Sequence, residues 1–218
     1  VSRESAGYDK SKQMDDTATL SRTEITPEAR LRDAFIAADA RWGGILTDLT
    51  IAPADTIESI AARRTLSRDL IAILNPASTN ALTAVETIRL PVAPLSIHIR
   101  LSAFRLVLYS GNAEIMSWQI ACGKSGHRTP TGDYKITAML VRPSWTHPRT
   151  GQYKAPGAPD NPIGTRWIQF APHLGIHGTN QPDSIGTRAS LGCIRMRTEE
   201  NEFLFRLVTI GTPVMIRD

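Results

Sequence analysis

Leu95 to Gly123 reads LSIHIRLSAFRLVLYSGNAEIMSWQIACG, and apolar and polar residues alternate along it. A period of two marks strands that bury one face and expose the other. The pair Gly111 and Asn112 interrupts the alternation where a tight turn joins two antiparallel strands. Downstream, TPTGDYKITAML from Thr129 continues the pattern after a Pro and Gly turn. The last stretch, NEFLFRLVTIGTPVMIRD, predicts a helix from about Glu199 to Val208 and a closing strand. The expected fold class is α+β, mainly β.

Upstream the period lengthens. In TPEARLRDAFIAADARW, Pro27 occupies the first turn of a helix whose stripe is Leu31, Ala34, Phe35, Ala38 and Trp42, ended by Gly43 and Gly44. DTIESIAARR predicts a second helix with Asp55 as N-cap, Glu58 completing a capping box, and Ile57, Ile60 and Ala61 buried. In LSRDLIAILNP, Ser67 caps a third helix carrying Leu70, Ile71 and Leu74, and Asn75 with Pro76 stops it. Strand-like LTI and VETIRLPV flank this pair, so the unit reads strand, helix, helix, strand. Residues from Val1 to about Ile25 show no apolar period and are expected to form a flexible arm. The expected divisions are an arm over 1–25, a short helical segment over 26–47, the helical-pair module over 48–92 and a β-rich domain over 93–218.

Composition narrows the function classes. With 41% hydrophobic and 21% charged residues, the 218-residue chain has ordinary globular composition. Its formal charge is +4, but Lys and Arg are scattered, so no nucleic-acid partner is expected. Two cysteines are too few for a disulfide framework. No apolar run is long enough to span a bilayer, and no leader is visible in a chain that opens at Val1.

The chemistry concentrates in IHGTNQPDSIGTRASLGCIRM, from Ile176 to Met196. A cysteine is a nucleophile only as thiolate, and its ordinary pKa of about 8.5 leaves it protonated at neutral pH, so Cys193 needs an imidazole such as His177. Gly192 would let the chain turn sharply, and amides around Leu191, Gly192 and Cys193 would converge on a developing oxyanion. From residue types alone, a strand histidine and an inert core thiol remain the competing account. Pro172 and Gly175 break the helix that a His173/His177 zinc pair would need, and a fourth ligand is missing, so neither metal nor cofactor is expected. Cys122, among apolar neighbours, reads as a buried strand residue, and His98 as pointing outward from its strand. His127 and Arg128 adjoin the TPTG turn, either facing a cleft or lying on a solvated loop. The Pro- and Gly-rich stretch from Val141 to Trp167 is long for a connection and is expected to be a substrate-facing flap, with Trp145 and Trp167 near its ends.

These motifs resemble a known family. IHGTNQPDSIGTRASLGCIRM is similar to the signature of YkuD-type L,D-transpeptidases, GKSGHRTPTGDYKI to their TPTG segment, and PSWTHPRTGQYKAPGAPDNPIGTRW to their substrate-loop region. The resemblance runs from about Leu95 to Asp218 and implies a cell-envelope enzyme acting on peptidoglycan stem peptides. It makes Cys193 the acylated nucleophile, His177 the base and the Gly178 carbonyl the group that orients the imidazole. Ser190 and Gly192 would shape the nucleophile loop. Arg195 would anchor the loop or meet a substrate carboxylate, and Leu191 and Thr179 would meet substrate, with Leu191 standing where many members have His or Lys; Trp145 and Trp167, from their places beside the flap, would pack on glycan or peptide or in the core at its roots. The implied reaction is attack on a tetrapeptide stem, loss of D-alanine, a thioester, and a 3→3 cross-link or transfer to another amine. The alternatives are an L,D-carboxypeptidase or related hydrolase and a non-catalytic peptidoglycan binder. Penems that acylate the thiol are the implied inhibitors. DTIESIAARRTLSRDLIAILNPASTNALTAVETIRLP, from Asp55 to Pro91, resembles a LysM module, which implies binding of N-acetylglucosamine-containing glycan; it departs from that family in its Ser78 to Thr87 loop.

Overall fold

The computed structural model describes residues 25–78, 87–147 and 150–218. The arm expected over 1–25 lies, but for Ile25, outside the described residues, as does most of the Ser78 to Thr87 loop. Helix α1 (Pro27–Trp42) starts at Thr26, whose Oγ1 accepts from the Ala29 amide at 3.2 Å. Its buried stripe is Leu31, Phe35 and Ala38. Trp42, expected in that stripe, is 64% exposed and packs under the Arg41 guanidinium instead. The helix stops at once beyond it, and the chain swings away as the Asp39 carboxylate accepts from the Ile45 and Leu46 amides.

Next come β1 (Leu46–Thr50), α2 (Ile57–Arg64), α3 (Arg68–Leu74) and β2 (Thr87–Pro91), with β1 antiparallel to β2 from Leu46 opposite Pro91 to Thr50 opposite Thr87. The order strand, helix, helix, strand is the one read from the sequence. Its first cap differs: Thr56, not Asp55, begins α2, in a reciprocal box with Ser59. Thr56 has the extended backbone that brings Oγ1 over the Ser59 amide, whereas Asp55 turns back to accept from the Ala52 amide and pairs with Arg63 at 2.6 Å. Glu58 faces solvent and pairs with Arg68. Ser67 caps α3 as expected. Asn75 ends α3, and its amide group bonds the Arg89 backbone at both N–H and C=O, fastening the helix to β2.

The remaining strands are β3 (Leu95–Arg100), β4 (Arg105–Ser110), β5 (Ala113–Gln119), β6 (Cys122–Gly123), β7 (Gly132–Lys135), β8 (Ala138–Val141), β9 (Trp145–Thr146), β10 (Tyr153–Lys154), β11 (Arg166–Ala171), β12 (Leu174–His177), β13 (Arg188–Ser190), β14 (Ile194–Arg195) and β15 (Pro213–Arg217), with α4 (Thr198–Leu207) before the last. A five-stranded sheet has the order β5-β4-β3-β15-β7, and a four-stranded sheet β14-β12-β11-β8. The turn at Gly111 and Asn112 joins β4 to β5 where the alternation breaks. Leu95, Ile97 and Ile99 of β3 point into a core that continues through Leu106, Leu108, Val214 and Ile216 and on to Leu31, Phe35 and Leu70. The N-terminal elements therefore pack on the sheets through one continuous apolar cluster. Arg206 of α4 reinforces the contact by pairing with Glu28 of α1 at 2.6 Å and Asp69 of α3 at 3.4 Å.

Candidate active site

The four-stranded sheet places the chemistry. Trp167 of β11 lies opposite His177 of β12, and His177 lies opposite Arg195 of β14 across a parallel pairing. Leu140 of β8 stands opposite Trp167 and extends the row. One residue along, Ile168, Ile176 and Ile194 form a fully buried row. Because successive side chains point to opposite faces, the isoleucines turn to the core and Leu140, Trp167, His177 and Arg195 to the other side. Cys193, two residues before Arg195, shares that second face.

A cavity of about 500 Å³ opens there, with Leu140, Trp145, Trp167, His177, Cys193 and Arg195 among the residues lining it. Pro143, Ser144, Pro162 and Ile163 bring the Val141 to Trp167 stretch into its wall. That stretch is held down: buried Asn161 donates to the Pro143 carbonyl at 2.8 Å and accepts from the Ile163 amide at 3.2 Å. Lys154 also pairs with Asp160, whose carbonyl accepts from Asn180.

His177 is 4% exposed, with Nδ1 2.6 Å from the Gly178 carbonyl oxygen. A carbonyl can only accept, so Nδ1 carries the proton and Nε2 is left as the basic nitrogen. Burial pushes the imidazole down to about 4, the Gly178 carbonyl offsets part of this, and the Arg195 charge adds to it. Cys193 is half-buried, with Sγ 3.7 Å from the His173 carbonyl. Burial raises its thiol above the usual range, against the opposing pull of a Gly175 backbone hydrogen bond and of Arg195. The resting pair is thus neutral imidazole beside neutral thiol at pH 7.

Side-chain hydroxyls shape the loop before Cys193. Ser190 Oγ donates to the Cys193 carbonyl at 2.6 Å and accepts from the Gly192 amide at 3.1 Å. Gly192 itself has φ +117°, a conformation open to glycine but not to L side chains. Thr129, buried in the TPTG turn, accepts from the Gly123 amide at 2.9 Å and donates to the Gly192 carbonyl at 2.8 Å. Gly175 lies beneath Trp167, where an added Cβ would come within 2.7 Å of the indole.

Arg195 is half-buried. Its Nη1 donates to Gln181 Oε1 at 3.1 Å, its Nε has no hydrogen-bond partner among the described residues, and burial lowers its pKa. Of the residues singled out in the sequence, His177, Ser190, Leu191, Cys193, Arg195, Trp145 and Trp167 come together at the cavity. Gly178, Thr179 and Gly192 stand behind it: Thr179 is buried, accepting from the Gln181 amide through Oγ1 and from Thr198 through its carbonyl. Thr129, Gln181 and Leu140 were not singled out, and Gly175 only as a helix breaker; the TPTG segment, which includes Thr129, carried a signal. Cys122 is fully buried, as its apolar neighbours predict.

Residues 94–216 match the model of the YkuD family, described as the L,D-transpeptidase catalytic domain. A Bacillus subtilis protein carrying the name L,D-transpeptidase YkuD is 34% identical over 169 residues, covering 74% of this chain and 93% of its own.

The chain belongs to the YkuD family of L,D-transpeptidases.

Another B. subtilis protein, named as the L,D-transpeptidase YqjB, is 38% identical over 107 residues, 46% of this chain; the match spans 58% of that relative's length. In fold the YkuD-family chain resembles L,D-transpeptidase 3 from Mycobacterium tuberculosis, solved with a faropenem-derived adduct: TM-score 0.50, 14% identity, 61% of this chain and 64% of that one. Proteins of this family act on peptidoglycan, which places their work at the cell envelope. No helix among the described residues is long and apolar enough to cross a membrane.

Proposed function

We propose that Cys193 is the acylated nucleophile of an L,D-transpeptidase that cross-links peptidoglycan stems. The observation that carries this is the shared face: His177 and Cys193 line one cavity, and Nδ1 of His177 is committed to the Gly178 carbonyl, so Nε2 is the nitrogen left to take the thiol proton. Nε2 accepts that proton as Sγ bonds to the carbonyl carbon of the third residue of a tetrapeptide stem. The electron pair moves to the carbonyl oxygen. Because the Gly192 amide is engaged with Ser190, the amides of Leu191 and Cys193 are the donors assigned to that oxyanion. Collapse expels the amino group of D-alanine, which leaves with the imidazolium proton, and a thioester remains. A side-chain amine of a second stem attacks the thioester, closes a 3→3 link and returns the thiol; water in its place yields the trimmed stem.

Arg195 supports the assignment, since a half-buried guanidinium whose hydrogen-bond partners among the described residues, Gln181 and Ser184, are neutral favours a substrate carboxylate. The penem adduct of the mycobacterial relative makes a penem the suitable probe. In intact-mass measurements, wild type incubated with faropenem gains one adduct on Cys193, and Cys193→Ala keeps its melting temperature but gains none. A folded, reduced wild type without adduct, or an adduct that persists in Cys193→Ala, overturns the assignment. The βααβ unit from β1 to β2 is assigned as a LysM-like glycan holder. Sedimentation of the full chain with insoluble peptidoglycan stripped of its stem peptides tests this, and recovery in the supernatant alone refutes it.

A further inference from the structure

Cys193 lies between two histidines. In the parallel pairing of β12 with β14, Ile176 faces Ile194, so Cys193 comes level with Gly175, whose backbone hydrogen-bonds the thiol. His177 is two residues beyond Gly175 and His173 two residues before it, about 7 Å each way along an extended chain. Both histidines line the cavity. His177 is buried, whereas His173 is exposed and stands at the mouth.

His173 keeps that place in a conformation unusual for its residue type. Ala171 pairs with Leu174, which leaves Pro172 and His173 as the tip of the β11–β12 hairpin, and His173 takes φ +61°. Glycine or asparagine is the usual residue at the left-handed position of such a turn. Backbone strain of this kind concentrates at functional sites. Here it accompanies a carbonyl 3.7 Å from Cys193 Sγ and a side chain on the cavity wall.

The cavity also selects the charge state of an incoming amine. Leu140, Ile163, Leu174 and Leu191 make its walls apolar, Arg195 carries the charge, and among the described residues lining it none is Asp, Glu or Lys. An ammonium entering there loses water and meets a guanidinium, and both effects favour the neutral amine. Only the neutral amine has the lone pair that attacks a thioester. A lysine-type amine holds its proton up to about pH 10.4, so at pH 7 it arrives charged and must give one proton away before it reacts. Burial disfavours the imidazolium of His177, and its Nε2 is needed for a different proton, the one that returns to sulfur.

We propose that His173 is a second base, which takes the first proton from the acceptor amine in the transfer half of the reaction. This rests on the reading of Cys193 as the acylated nucleophile. The acceptor's ammonium gives one proton to the His173 imidazole and becomes the free amine. Its nitrogen bonds to the thioester carbon, its second proton passes to His177 Nε2, and the electron pair of the breaking C–S bond goes to Sγ, which takes that proton back. The products are an amide, the thiol and an imidazolium on exposed His173, which releases its proton to water. The titratable and charged groups that line the cavity with His173 are His177, Cys193 and Arg195.

The test separates the two halves of the reaction. The thioester is formed on the full chain from a stem tetrapeptide, and its decay is followed by intact mass at pH 7 with one of two amines: a stem tripeptide, whose side-chain amine is protonated, or methoxyamine, which is neutral. His173→Asn and His173→Gly both accept the left-handed backbone, so the carbonyl beside Cys193 stays in place while the base is lost. Each variant is expected to slow decay by the tripeptide about tenfold or more, and to leave decay by methoxyamine and acylation by faropenem within about threefold of wild type. Raising the pH to about 9.5, or adding free imidazole, restores the tripeptide rate, because the amine then arrives neutral or finds another base. An unchanged tripeptide rate, an equal loss with both amines, a matching loss in faropenem acylation, or a loss that neither imidazole nor higher pH restores overturns the proposal, while the thioester itself upholds Cys193. A wild type that forms no thioester and takes no faropenem overturns the reading of Cys193, and the role of His173 with it.

Discussion

The indole of Trp167 lies over the imidazole of His177, ring centroids 5.7 Å apart and planes within 20° of parallel. This lid of aromatic surface adds to the burial that holds His177 near 4. The imidazole is therefore unprotonated across the neutral range, and the Cys193 thiol stays protonated past the usual cysteine value. The rate of faropenem acylation is expected to rise with an acid limb near pH 4 and then to stay level through pH 7. Trp167→Ala admits water to the ring and moves that limb toward the ordinary histidine value of about 6.5. Acylation rates measured by mass spectrometry from pH 3.5 to pH 9 check it; a limb that does not move in the variant contradicts this account of the depression.

The same depression makes stability depend on pH. The folded-state pKa of His177 lies below the unfolded value of 6.5, so the unfolded chain binds the proton first as pH falls. This group costs nothing above about 6.5, and stability drops through the window from 6.5 to 4, by up to about 1.4 kcal/mol per pH unit. His177→Gln should flatten that part of the profile. Urea melts at pH 7, 5.5 and 4.5 for both proteins measure the difference.

Ser190→Ala and Thr129→Val each remove a hydroxyl that bridges two backbone groups at the Cys193 loop. Leaving buried backbone groups unpaired costs about 1–3 kcal/mol, and the loop loses its hold on the Cys193 carbonyl in the first variant and on the Gly192 carbonyl in the second. Both variants are expected to fold, to melt earlier, and to acylate at least tenfold more slowly. Normal acylation by Thr129→Val would show that the turn supports the fold alone.

Gly175→Ala tests the seat of Trp167. The added methyl meets the indole at 2.7 Å and the Ile168 carbonyl at 2.9 Å, so the ring must lift from its place over His177. The expected outcome is a loss of about 1–3 kcal/mol in stability and an acid limb shifted upward, as in Trp167→Ala. Tryptophan fluorescence and the acylation profile report on both.

Arg206→Ala separates the N-terminal contact from catalysis. The pairs to Glu28 and Asp69 are partly exposed, so their loss should cost on the order of 1 kcal/mol, less in high salt. Acylation of Cys193 should be unchanged. Thermal melts at low and high ionic strength supply the measurement.

Legibility of the fold followed the range of the forces involved. Ser67 was readable as a cap because capping couples residues three apart, and β3 to β5 were readable because alternation is a property of one strand. Thr56 was missed because Asp55, an equally good capping type, stands beside it, and only the backbone angles choose between them. Trp42 fits the helical period but falls on the last turn, where the neighbouring chain no longer covers it. The residue types around His177 and Cys193 suggested a thiol and a base, and that both line one cavity could not be read from them, because it depends on strand pairing.

The sequence by itself determined the local periods, most helix ends, the apolar setting of Cys122 and the family-like signature around Cys193, since these depend on backbone geometry over a few residues. Tertiary structure alone decided that Trp167, His177 and Arg195 share one row and that Arg100, Arg105 and Arg217 share another. Strand pairing joins residues distant in the chain through generic backbone hydrogen bonds, so no short pattern records which strands become neighbours. That pairing also sets the burial which makes His177 a weak base.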